Sequence, residues 1–162
     1  MITLSVNLNK IALLRNSRDG GKPSVTDAAR EAISRGAGGI TVHPRPDQRH
    51  IRPEDVYALA QLLADDYPSV EFNIEGNPFA GPTQAGYPGF RHLVEAAKPH
   101  QVTLVPDSDD QLTSDHGWDL ATPAPALEVE IAAYRAMGCR VSRFMDPVMA
   151  QMATATAIGA DR

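Results

Sequence analysis

Short β-branched runs alternating with stretches of helical periodicity mark this 162-residue chain as an α/β protein built on a parallel sheet. Five runs have the length of strands: Ile2–Asn7, Gly39–His43, Val70–Glu75, Gln101–Val105 and Arg140–Met145. Being near-continuously apolar and separated by helices, they predict parallel strands covered on both sides. Glycine closes the helix ahead of a strand at Gly36 and again at Gly138, where a left-handed position would strain a β-carbon.

The helices follow in order. Val25, Ala28, Ala29, Ala32 and Ile33 share one face behind Ser24, a candidate N-cap with Asp27 three residues on. A second helix starts at Pro53 and offers Val56, Leu59, Ala60 and Leu63 to the core. Later stripes use Phe90, Leu93, Val94 and Ala97, then Leu127, Ile131 and Tyr134, then Val148, Met152 and Ala155. The pattern reads as one domain of repeated βα units. A third glycine motif, Gly159-Ala160-Asp161, reads as the prelude to a sixth strand. By pattern alone the chain fits an open doubly wound sheet or the first part of a closed eight-stranded barrel; the expectation is that residues 1–162 stop before strand 6 of a barrel.

Composition narrows the function. The formal charge is −5 and basic residues are not clustered, which argues against nucleic acid as the main partner. No apolar run approaches the roughly 18 residues of a membrane span, and the N-terminus has no signal-peptide pattern. Cys139 is the single cysteine, so no intrachain disulfide or cysteine-based metal site can form. These features predict a cytoplasmic protein with neither membrane nor nucleic acid as partner.

Ligands of parallel α/β proteins bind beyond the carboxyl ends of the strands, so polar residues there carry functional weight. The first strand leads into Asn7-Leu8-Asn9-Lys10 and then Arg15 and Arg18; the second leads into His43-Pro44-Arg45-Pro46-Asp47-Gln48-Arg49-His50. The third carries Glu71, Asn73 and Glu75 at period 2, hence on one face. Blander readings stand beside these: a solvated helix end for the arginines, a satisfied strand-end histidine for His43, and a water-facing edge strand for the carboxylates. Metal binding has little support, because no His-Glu-x-x-His spacing occurs and Pro106–Asp115 lacks the features of a calcium loop. That acidic segment reads as a solvated loop.

Taken together, Val6-Asn7-Leu8-Asn9-Lys10-Ile11-Ala12-Leu13-Leu14-Arg15-Asn16-Ser17-Arg18, His43-Pro44-Arg45-Pro46-Asp47-Gln48-Arg49-His50-Ile51 and Val102-Thr103-Leu104-Val105-Pro106 resemble the pyridoxine 5′-phosphate synthase family. Gln111-Leu112-Thr113-Ser114-Asp115-His116-Gly117-Trp118-Asp119 and Val141-Ser142-Arg143-Phe144-Met145-Asp146 follow in the family's order. The resemblance implies a (β/α)8 TIM barrel, of which the chain supplies about the first five βα units. It also implies condensation of 1-deoxy-D-xylulose 5-phosphate with 3-amino-2-oxopropyl phosphate to pyridoxine 5′-phosphate, phosphate and water, without metal or organic cofactor, in a homo-octamer. Matched by position, His43 corresponds to the proton-accepting histidine and Glu71 to the acid/base glutamate. Asn7 and Arg18 correspond to contacts with the aminoketone phosphate; Asn9, Lys10, Arg45, His50 and Thr113 to contacts with the deoxyxylulose phosphate. Asn9-Lys10 replaces the Asp-His of many members, and the family's later general acid and phosphate-binding loops have no counterpart within residues 1–162. Two rival readings are a phosphosugar aldolase or isomerase using Lys10 as a Schiff base, and an incomplete fragment or assembly subunit.

Overall fold

The computed structural model describes residues 2–18, 20–108, 111–122 and 124–161. Five strands, β1 (Ser5–Asn7), β2 (Gly39–Val42), β3 (Glu71–Gly76), β4 (Gln101–Leu104) and β5 (Arg140–Arg143), form one parallel sheet in the order β1-β2-β3-β4-β5. Six α-helices accompany them among the described residues: α1 (Asn9–Asn16), α2 (Val25–Ser34), α3 (Pro53–Asp66), α4 (Phe90–Ala97), α5 (Pro125–Ala136) and α6 (Met152–Ala157). The strand order never reverses, so the right-handed crossover rule sends each connection to the same side of the sheet. α3 accordingly packs between α2 and α4.

One sheet face is apolar. Ile40, Val42, Phe72, Ile74, Val102, Leu104 and Val141 meet helix residues such as Ala29, Val56, Leu59, Leu93 and Ile131 in a single core. The opposite face is polar, where near-continuously apolar runs predict strands covered on both sides. Ser5 and Thr41 hydroxyls share a hydrogen bond of 2.7 Å, and the Asn73 amide donates to Thr41 Oγ1 at 3.2 Å. Asn73 Oδ1 accepts from Thr103 Oγ1 at 2.9 Å and from Gln101 Nε2 at 3.2 Å. Thr41, Asn73, Gln101 and Thr103 are buried, and this ladder across β1–β4 satisfies them. The sequence disguises the ladder because threonine is β-branched and favours strands whichever way it faces.

Local signals placed the helices well. Ser24 Oγ accepts the Asp27 N–H at 3.1 Å, and Gly36 and Gly138 take φ of +97° and +87° after α2 and α5. Helix α1, which apolar periodicity did not mark, begins where Asn7 Oδ1 accepts the Asn9 N–H at 2.8 Å, and it buries Ala12. The final stripe divides into a 3₁₀ turn, Met149–Gln151, and α6. Asp109 and Asp110, part of the expected acidic loop, lie outside the described residues. The rest of that loop is not simply solvated: Asp107 is buried. No helix among the described residues is long and apolar enough to cross a membrane.

Candidate active site

A cleft of about 640 Å³ opens at the carboxyl end of the sheet. Its wall combines Asn7, Asn9 and Lys10 after β1, His43, Arg45, Arg49 and His50 after β2, Glu75 near the end of β3, Thr113 and Ser114 after β4, and Phe144 after β5. A groove of about 490 Å³ lies elsewhere, between α3 and α4, but its wall is mostly alanine and other apolar side chains. Convergent polar groups single out the first.

Side-chain bonds from the loops hold this rim. Asn9 Oδ1 accepts the His43 N–H at 2.8 Å, tying the start of α1 to the end of β2. Arg15 makes a two-pronged pair with Asp55, donates to the His50 carbonyl at 3.3 Å, and stands beside Asn16, whose amide reaches the Arg49 and His50 carbonyls. Arg45 Nη1 donates to Asp107 Oδ2 at 2.6 Å; Nη2 donates to the carbonyls of Ser108 at 3.0 Å and Gln111 at 2.8 Å. Arg49 Nη1 donates to the Leu112 carbonyl at 3.0 Å. Two arginines from the β2 end thus clamp the segment that carries Thr113.

Burial sets the protonation of the reactive groups. His43 is pushed down from 6.5 to about 4 by burial, opposed by Asp107 and assisted by Arg45, His50 and Arg49. Burial likewise lowers His50 to about 4, with Arg45 adding to it. Glu75 moves the other way, from 4.5 up to about 7, chiefly through burial and then through Asp107. At neutral pH the cleft therefore presents a neutral imidazole beside a carboxyl that readily holds or releases a proton. That is an acid/base arrangement.

The structure brings Asn7, Asn9, Lys10, His43, Arg45, His50 and Thr113 together, as the sequence predicts. Arg18 is exposed in the turn after α1 and is not part of the cleft wall. Glu71 is displaced more seriously. It opens β3 at the far end of the sheet, level with Gly39, and pairs with Arg140. Glu75, four residues on, occupies the rim, where the Asn7 amide donates to its Oε2 at 3.2 Å. Both carboxylates share a face, but only the second lies at the ligand-binding end. Sequence reading also missed Arg49, Ser114 and Asp107. The position of Arg49 in the polar run after β2 was the available signal. Among the described residues no cluster of three or more His, Cys, Asp or Glu is placed to hold a metal.

The profile of the family described as "Pyridoxal phosphate biosynthesis protein PdxJ" matches residues 4–162. The chain belongs to this family. Pyridoxine 5′-phosphate synthase of Xanthomonas campestris pv. campestris (strain B100) is 61% identical over 159 residues, 98% of this chain and 61% of the relative. The synthase of Xanthomonas oryzae pv. oryzae (strain MAFF 311018) is 60% identical over 161 residues, 99% of this chain and 62% of the relative. The synthase of Xylella fastidiosa (strain 9a5c) is 55% identical over 159 residues. The chain thus spans about three-fifths of the length of these PdxJ-family relatives.

Proposed function

We propose that the complete protein is a pyridoxine 5′-phosphate synthase, joining 1-deoxy-D-xylulose 5-phosphate and 3-amino-2-oxopropyl phosphate. The observation that carries this reading is the juxtaposition of His43 and Glu75 in one cleft, in a chain whose relatives bear that name. The reaction requires an amine to attack a ketone, water and phosphate to leave, and a carbon–carbon bond to close the ring. Each step moves a proton. The neutral imidazole of His43 accepts protons from carbon or nitrogen, and Glu75 delivers them to leaving oxygen and takes them back. Lys10 offers cationic character for phosphate, whereas Arg45 and Arg49 already serve protein acceptors, the first Asp107, Ser108 and Gln111, the second Asp47 and Leu112.

The same reading makes residues 1–162 a single domain, the first five βα units of a (β/α)8 barrel whose polar sheet face looks into the barrel. An unreversed parallel order with one helix-covered face supports it. The substrates are small phosphorylated molecules, and we take the working form to be a cytoplasmic homo-octamer. A Schiff base on Lys10 is disfavoured because that side chain lies in the open, without the desolvation that activates such a lysine.

The test is to incubate the full-length protein with both substrates and follow pyridoxine 5′-phosphate and free phosphate. Equimolar appearance of both is expected. A stable borohydride-trapped adduct on Lys10 without ring formation would establish the rival chemistry.

A further inference from the structure

We propose that Asp107 is a positioning residue for the proton-transfer pair, acting through His43, Glu75 and Arg45 and not on substrate. The inference rests on the functional reading above. Asp107 follows β4, its side chain is 4% exposed, and it is not part of the cleft wall. Its Oδ2 accepts from Arg45 Nη1 at 2.6 Å and from Ser114 Oγ at 2.6 Å, and stands 4.0 Å from His43 Nε2. Its Oδ1 is buried with no hydrogen-bond partner among the described residues, leaving an acceptor turned inward. The Asp107 carbonyl accepts the Asn77 amide at 2.8 Å, which fixes the backbone from the β3 side. Through its carboxylate and its backbone carbonyl together, this one residue links the ends of β2, β3 and β4.

Position explains the consequence. Among the described residues, the charged and titratable groups of this rim are Lys10 from α1, His43, Arg45, Asp47, Arg49 and His50 after β2, Glu75 on β3, and Asp107, Asp115 and His116 after β4. Among them, Asp107 is the carboxylate whose negative charge acts on Glu75, and it makes ionisation of Glu75 harder. It also favours the protonated form of His43, opposing the nearby cations. Arg45, bound to the same oxygen, anchors Ser108 and Gln111 and with them the loop of Thr113. Losing the charge should let Glu75 ionise at lower pH, while burial still holds it above the ordinary carboxylate value, so that less of the acid remains at neutral pH.

The experiment compares Asp107→Asn and Asp107→Glu in the full-length protein. Asparagine keeps the shape and an acceptor oxygen. It is expected to lower kcat roughly tenfold or more, to change KM less, and to move the alkaline limb of the kcat profile to lower pH. Glutamate keeps the charge and should retain the wild-type limb. Titration of the Glu75 carboxyl by ¹³C NMR reads the same shift without turnover; a folded but inactive wild type would sink the functional reading while leaving this test intact. If circular dichroism shows the asparagine variant unfolded, the glutamate variant decides: a wild-type limb supports the proposal and a displaced one overturns it. An asparagine variant with an unmoved limb and an unmoved Glu75 midpoint overturns it also.

Discussion

The Asn7 side-chain amide donates to Glu75 Oε2 at 3.2 Å, joining the last residue of β1 to the rim of β3 across β2. The same Asn7 uses its carbonyl oxygen to start α1, and Asn9 of that helix fixes the His43 backbone. Two asparagines in one tripeptide thus set the relative positions of the glutamate and histidine proposed to move protons.

His43→Ala should lower turnover of the full-length protein by about two to four orders of magnitude, the usual scale for a lost acid–base group. The fold should survive, because the ring's carboxylate contact among the described residues, Asp107, is a long one at 4.0 Å. Steady-state kinetics with circular dichroism checks both; a loss under about fivefold would remove His43 from proton transfer.

Stability should pass through a maximum near pH 6.5. His43 and His50 titrate near 4 when folded and near 6.5 in the ordinary state, so their contribution is complete above 6.5 and is lost as pH falls through 4. Glu75 is raised to about 7, so its contribution is complete below 4.5 and is lost as pH rises through 7. Between 4.5 and 6.5 two histidines outweigh one glutamate, and stability rises with pH. Urea midpoints at pH 5, 6.5 and 8 test this; a steady decline from pH 5 upward would contradict it.

Asn73→Ala should destabilise by about 1–3 kcal/mol, because the Thr103 hydroxyl and the Gln101 amide lose their buried acceptor. Gly117→Ala should cost a similar 1–3 kcal/mol or so by overpacking. Its β-carbon would fall 2.5 Å from the backbone of Met145 and Asp146, which cannot yield as a flexible side chain does. Denaturant midpoints check both, and an unchanged midpoint for either removes the corresponding argument.

The βα alternation was legible because periodicity and caps are local: Ser24, Gly36 and Gly138 each behave as their neighbours imply. The polar strand ends were legible too, since Asn9, His43 and His50 follow strands directly. What escaped depends on register and distance along the chain. Period 2 puts Glu71 and Glu75 on one face and the carboxyl-end rule favours Glu75, the last residue of the expected strand, whereas matching by position to the family names Glu71. Asp107 meets Arg45 across 62 residues, and no local pattern distinguishes its buried carboxylate from the exposed Asp115 of the same loop. Helix α1 was hidden by polar Asn9-Lys10 at its start, where an Asx turn rather than an apolar stripe launches it.

The two glutamates of β3 offer the most direct test of the central claim that the carboxyl-end cleft is the catalytic centre. In the full-length protein, Glu75→Gln should lower pyridoxine 5′-phosphate formation by about two to four orders of magnitude. Glu71→Gln breaks only a part-exposed pair with Arg140, costs under about 1 kcal/mol, and should leave turnover within about twofold. Measuring both rates side by side decides the matter. The reverse ranking, with Glu75→Gln active and Glu71→Gln dead, would move the chemistry to the opposite end of the sheet and contradict the account.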